Sequence, residues 1–277
     1  VIVAAIYAIV FLACATLRLT FGFELSWLES GMQAMTDRLA AHQSIYAEPS
    51  PAYVPFIYPP LYYVVAHGIG LALPSLGPFT PMRLVSLLAT VATAFTVFLT
   101  LGRRTALGFG RRLLLASLLF AFYGRFEFWQ DTSRVDSLFA CLVFAATAVL
   151  IEGRGMVSAI AAGCLGGMAI LTKQPGVPLL VGTAVAVALT ARRRALLVLL
   201  FSAASACAGL AMLGELGNPW LYFYTLRVPA THAVHLDTLG SSVVSVLYTM
   251  PLFLLAAGAE LRGRTRASGP LGQRLGH

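Results

Sequence analysis

Nine apolar runs alternate with polar segments along the 277-residue chain: 1–17, 59–74, 82–101, 113–124, 136–151, 156–171, 175–191, 195–213 and 243–259. Most approach the roughly 20 residues that a helix needs to cross a hydrocarbon core. Backbone in lipid must satisfy its own hydrogen bonds, so runs of this kind predict helices. The pattern predicts an all-α, polytopic transmembrane bundle of about nine spans. The short run at 113–124 is expected to continue into the aromatic stretch Phe126 to Trp129 at an interface. The longest polar interruption, 18–58, is an acidic first loop carrying Glu24, Glu29, Asp37 and Glu48. Within it, Gly31 to Ala41 has helix-forming composition, with Met32, Met35 and Leu39 as its apolar positions. That spacing predicts a short helix lying along the membrane surface. Pro49, Pro51, Pro55, Pro59 and Pro60 then predict a stiff, extended return to the bilayer. Tyr53, Phe56, Tyr58, Tyr62 and Tyr63 along it suit an interface.

Composition sharpens the class. The chain is 58% hydrophobic and 11% charged, with mean hydropathy +0.82. Soluble domains carry about 25% charged residues, so a water-exposed globule is excluded. The net charge of +8 reads as membrane topology and not as a nucleic-acid surface, because the arginines cluster at the ends of apolar runs. Arg103, Arg104, Arg111 and Arg112 share one linker, Arg154 lies in another, Arg192, Arg193 and Arg194 in a third, and Arg262, Arg264, Arg266 and Arg274 in the tail. These segments belong on the cytoplasmic side. The acids, apart from Glu152 and Glu260, fall in 18–58, 125–137 and 214–242, on the opposite side. A multi-pass protein of the plasma or inner membrane is implied. One conflict stands: two runs, 59–74 and 82–101, separate an outer loop from an inner one, where an odd number of crossings is required. His67, Gly68, Gly70 and Pro74 make 59–74 the weakest span.

A single membrane domain over 1–277 is expected, with a core to about 190 and further spans and a basic tail beyond. The start lacks a basic signal-peptide region, the tail closes no element, and the chain reads as a fragment of a longer protein. Cys14, Cys141, Cys164 and Cys207 lie inside apolar runs without CxxC spacing, which suits packing and neither a zinc site nor a disulfide framework.

The polar chemistry collects in three stretches on the non-cytoplasmic side: the acidic loop, "GRFEFWQDTSRVDSLF", and "LTKQPG". Carboxylates there can take a proton from a hydroxyl or hold a divalent metal, and Arg134 and Lys173 can neutralise a phosphate leaving group. Lys173 is the one lysine beside 18 arginines. It can snorkel to an interface, as arginine would equally, or serve as a phosphate-binding point charge. Gln174 adds a neutral donor, and Pro175 interrupts the helix. Each acid has a plainer reading as well. Glu29 can be a solvated acid favoured at a helix start, Asp136 can cap a helix through Ser133-Arg134-Val135-Asp136, and Arg134 can pair with Asp131 three residues earlier. Asp37 and Arg38 read as solvated. Tyr46 and Tyr58 can stack on a sugar or lipid head or simply anchor. His232, His235 and Asp237 have the spacing of a weak metal site or an ordinary polar loop.

The order of these elements resembles a known family. Glu29-Ser30-Gly31, Ser44-Ile45-Tyr46, Tyr58 to Tyr63, Arg83-Leu84-Val85-Ser86, Arg134 to Leu138 and Leu171 to Gln174 occur in the sequence in which they occur in the C-class, membrane-embedded glycosyltransferases. Relatives include the protein O-mannosyltransferases (glycosyltransferase family 39) and the lipid A aminoarabinose transferases. The resemblance spans about residues 1 to 190 and lies in order and spacing. It implies transfer of a sugar from a polyprenyl-phosphate donor to a glycan, lipid or protein hydroxyl outside the cytoplasm, with inversion. It implies an acidic catalytic residue in the first outer loop, for which Glu29 is the best match and Glu24 the second, with Asp136 a further candidate. Donor phosphate would lie near Lys173, Arg134 and Gln174, and Tyr46 and Tyr58 would meet substrate. The family often carries an Asp-Glu pair at this place; here Leu28 precedes Glu29. The rival readings are a transporter or lipid flippase, to which charges within a bundle would point, and a non-catalytic membrane partner.

Overall fold

The structure, a computed structural model, describes residues 2–121, 123–124, 127–231 and 240. The chain divides into two units, Val1–Ala230 and Thr231–His277. Almost all of the second lies outside the described residues, including the run 243–259, the basic tail, and His232, His235 and Asp237.

Every apolar run in the first unit becomes a helix. In order these are α1 (Ile2–Leu19), α2 (Glu29–Ala40), α3 (Leu61–Ala72), α4 (Thr80–Arg104), α5 (Phe109–Ala121), α6 (Val135–Glu152), α7 (Met156–Ile170), α8 (Gly176–Ala188) and α9 (Arg192–Met212). A short segment follows: α10 (Pro219–Tyr222), a π-helical turn (Phe223–Arg227) and α11 (Val228–Ala230). Among the described residues there is no strand, only an isolated bridge between Ser50 and Tyr53 in the proline-rich return.

The count of nine spans needs correction. Among the described residues three helices are long and apolar enough to cross a membrane: α4, α6 and α9. The apolar parts of α1 (from Ala5), α3, α7 and α8 are shorter. The runs overstated helix length because their ends go into turns. The turn from Leu171 to Pro175, for example, takes residues from both the sixth and seventh runs. Beyond α5 the described residues 123–124 and 127–129 are turns, so among them the helix does not continue into the aromatic stretch; Phe126 lies outside the described residues.

Helix α3 stays at the end of the bundle that carries the acidic loop. Its twelve residues rise about 18 Å. Its Tyr62 donates to Met82 O at 2.7 Å, and Gly70 lies beside Pro81. The helix stays beside the first turns of α4 and never reaches that helix's arginine end. Only α4 then separates the acidic loop from the linker at 103–112.

Helix α2 begins two residues earlier than its composition suggests and does not lie loose on a surface. Met32 and Met35 are fully buried with Tyr46, Tyr62, Tyr63, Met82 and Val135. The spacing that predicted an amphipathic helix is correct; its apolar face meets protein.

The two ends of the bundle differ in charge. At one, Arg103 pairs with Glu152, and Arg194 donates to Leu150 O and Gly153 O, closing the end of α6. Arg104 and Arg154 stand at the same place. At the other end the acidic loop meets the starts of α4, α6 and α8. Between them α7 and α9 pack through small residues. Ala159, Ala162, Gly163, Gly166 and Gly167 are buried, and Ser202 donates to Gly163 O at 2.8 Å. The four cysteines are free, and Ser205 reaches Cys164 O at 3.2 Å along this seam. A Cβ on Gly163 would lie 2.8 Å from both Phe201 Cβ and Val198 O. Gly163→Leu is therefore expected to cost roughly 1–3 kcal/mol, seen as a lower melting temperature in detergent; an unchanged melting temperature would contradict this packing.

Candidate functional site

The site is organised by Glu29 and Arg83, both without solvent exposure. Glu29 opens α2, and Arg83 lies in the first turn of α4. Arg83 Nη2 stands 2.7 Å from Glu29 Oε2, and Nε donates to Oε1 at 3.0 Å. The other guanidinium hydrogens go to Arg18 O (2.9 Å), Phe21 O (2.6 Å) and Phe23 O (2.6 Å). All five donors of the fork are thereby used. Glu29 takes three further donors: Leu25 N at 2.6 Å, and Ser133 N and Oγ each at 2.9 Å. Burial pushes the Glu29 pKa up. The hydrogen bonds from Arg83, Leu25 and Ser133, with the Arg83 charge, outweigh it and hold the carboxyl below its ordinary value.

Ser133 hands this arrangement to the next stretch. Arg134, the residue before α6, has extended backbone, and Asp136 lies in the first turn of that helix. Asp136 makes no side-chain cap; it binds cations instead. Lys173 Nζ is 2.5 Å from Asp136 Oδ1, and Arg134 Nε is 3.3 Å from Oδ2. The Arg134 guanidinium lies 3.7 Å from the centre of the Trp129 ring, and Lys173 Nζ lies 5.8 Å from that of Tyr58. Two cations thus share one carboxylate, each side chain partly exposed. Lys173 is brought here by the α7–α8 turn. That turn is fixed to the proline-rich return by Leu61 N donating to Leu171 O at 2.9 Å and by Gln174 donating to Ile57 O. Gln174 also donates to Thr225 O in the π-helical turn at 3.2 Å. Tyr46 is buried and donates to Tyr58 O at 2.6 Å, so it supports Tyr58 from behind and does not face outward.

The three polar stretches therefore converge: Glu29 touches Ser133, Asp136 touches Lys173, and Tyr58 touches both the lysine and Tyr46. Glu24 stands apart, exposed, accepting a hydrogen bond from Ser30. The expected Arg134–Asp131 pair does not form. Asp131 is bound by Arg18 at 3.0 Å and by the Tyr123 hydroxyl at 2.6 Å. Burial raises its pKa by more than Tyr123 and Arg18 lower it. Residues 131–133 are bends and Arg134 is extended, so a three-residue spacing does not bring side chains together there. Among the described residues no group of three or more His, Cys, Asp and Glu side chains is placed to hold a metal ion.

Arg83 is the residue that sequence reasoning passed over as a site component. It is the one charge inside the run 82–101, and a charge so placed is itself a signal for a buried partner. Comparison with protein families, with curated proteins and with solved structures returns no match.

Breaking a buried ion pair from one side leaves an uncompensated charge and costs about 3–5 kcal/mol. Arg83→Ala is expected to lower thermal stability by that order, and Glu29→Gln by less. Because folding depresses the Glu29 pKa below its unfolded value of about 4.3, its charge stabilises the fold fully above that pH and loses this effect as pH falls through the folded pKa. The melting-temperature gap between wild type and Glu29→Gln is expected to close on acidification below about pH 4; a gap that widens there would contradict the assignment.

Proposed function

We propose that the chain is an integral-membrane glycosyltransferase that moves a sugar from a polyprenyl-phosphate donor to an acceptor hydroxyl on the extracytoplasmic side, with inversion. The observation that supports this best is the pairing of Lys173 and Arg134 on the single carboxylate of Asp136. Two cations and one anion leave this cluster with net positive charge, at the end of the bundle opposite the arginine-rich one. Trp129 and Tyr58 flank the cations, as suits a lipid-linked phosphate bearing a sugar. Large apolar side chains such as Leu17, Val157 and Leu189 are exposed along the helices, consistent with a multi-pass placement in lipid.

In this reading the donor phosphate takes over Lys173 and Arg134, and Asp136 becomes free to face the acceptor. The acceptor oxygen attacks the anomeric carbon as the bond from that carbon to the phosphate oxygen breaks. The bonding pair stays on the phosphate, neutralised by the two cations, and the hydroxyl proton passes to Asp136. One base suits a single displacement; retention would call for a second carboxylate as nucleophile. Glu29, with both oxygens fully engaged, acts by positioning Ser133 and the start of α6.

The test is transfer from a polyprenyl-phosphate sugar by the purified full chain. Lys173→Ala is expected to lower kcat/KM by about 100-fold, the scale of losing one donor to a developing anion. Asp136→Asn is expected to lower kcat without raising the donor KM, since it removes the anion that competes for the cations. Unchanged turnover in both variants would overturn the assignment.

A further inference from the structure

Two helix C-termini line one polar cavity of about 310 Å³, whose walls include Leu39, His42, Gln43, Ser44, Met212 and Glu215. Both ends close in the same way. At α2, Gln43 N donates to Arg38 O at 2.8 Å and His42 N to Leu39 O at 3.0 Å; at α9, Glu215 N donates to Leu210 O at 2.9 Å and Gly214 N to Ala211 O at 3.0 Å. This closing motif puts one residue into the left-handed region, where glycine is favoured. Helix α9 uses Gly214 there, at φ 68°. Helix α2 uses His42, at φ 54°, where a Cβ is penalised. Strain of this kind persists where the surroundings or a function require the side chain, and here it places an imidazole on the cavity wall.

The electrostatics narrow the ligand. Both helices present their negative dipole ends, and Glu215 is 3% exposed. Glu215 is held by Ser44 Oγ at 2.7 Å, Ile45 N at 3.2 Å and Asn218 Nδ2 at 2.6 Å, which fixes the wall. Among the described residues no lysine or arginine lines the cavity. A phosphate is therefore disfavoured. A neutral ligand rich in hydroxyls fits instead, since the imidazole of His42 and the carboxamide of Gln43 offer both donors and acceptors, and Leu39 and Met212 offer an apolar wall. The volume lies at the small end of the ligand-pocket range of roughly 300–1,000 Å³, suited to one or two sugar rings. The cavity wall is tied to the cation site through Ser44, whose hydroxyl lies 2.9 Å from Tyr46 O, and through Tyr46, whose hydroxyl donates to Tyr58 O beside Lys173.

We propose that this cavity binds a neutral sugar unit of the acceptor. The proposal rests on the transferase reading and names its acceptor as a carbohydrate. The test titrates the full chain in detergent micelles with methyl glycosides of glucose, galactose and mannose, followed by saturation-transfer NMR. At least one glycoside is expected to bind saturably. His42→Gly and Gln43→Ala are each expected to weaken binding about tenfold, the scale of a lost hydrogen bond to a buried partner. His42→Gly is also expected to raise the melting temperature, which a merely structural histidine at that position would do without any loss of binding. No saturable binding, or wild-type affinity in both variants, would overturn the proposal. Glycoside binding of this pattern without any transfer from a polyprenyl-phosphate sugar would sink the transferase reading and leave the cavity's sugar binding standing. Transfer with an acceptor KM unchanged in both variants would do the reverse.

Discussion

A guanidinium and a carboxylate, neither touching solvent, sit where the end of α1, the acidic loop, the start of α4 and the strand-like approach to α6 come together. Burying two charges is costly, and their mutual attraction offsets that cost only if the remaining donors and acceptors are also met. Here they are. Arg83 spends five hydrogens on Glu29 and three backbone carbonyls, and Glu29 collects donors from Arg83, Leu25 and Ser133. Segments separated in sequence by 54 and 104 residues are fixed to one another by a single side chain. The position of Arg134 and Asp136, and so the shape of the cation site, follows from where Ser133 is held.

That constraint separates two roles that a row of acids in a loop leaves mixed. A carboxylate wrapped by five donors is a poor proton acceptor, and its depressed pKa says the same. Asp136, held only by two cations and partly exposed, can exchange partners when an anion arrives. The chemistry proposed for this end of the bundle therefore runs on Asp136, Lys173 and Arg134, with Glu29 and Arg83 as the frame. The lone lysine of the chain makes sense in this setting. Lys173 stands at the α7–α8 turn as a compact charge able to leave Asp136 for a phosphate, while Arg134 is kept flat by Trp129.

Much of the helical plan was legible because apolar runs in a chain of this composition have few alternatives to helix. All eight runs within the first unit became helices, and the Met32, Met35 and Leu39 spacing located α2. What could not be read was what each apolar face meets. The same periodicity serves a membrane surface and a protein core, and only the fold places Met32 and Met35 against Tyr62 and Tyr63. Ion pairing was legible only within a few residues, where the local geometry is assumed. Arg134 was matched to Asp131 on a helical spacing that the bends at 131–133 do not supply, while Arg83–Glu29 and Lys173–Asp136 span 54 and 37 residues and leave no local trace. The convergence of the three polar stretches was anticipated from charge placement, but the division of labour among their carboxylates required the partners of each oxygen.

Trp129 offers the most direct test, because its ring lies against the Arg134 guanidinium. The measurement is the fluorescence of Trp129, with Trp27 and Trp220 replaced by Phe, during titration of the full chain with polyprenyl phosphate. A saturable change that disappears in Lys173→Ala is the predicted result. A flat titration, or a change that is the same in Lys173→Ala, would contradict a phosphate site built from Lys173 and Arg134.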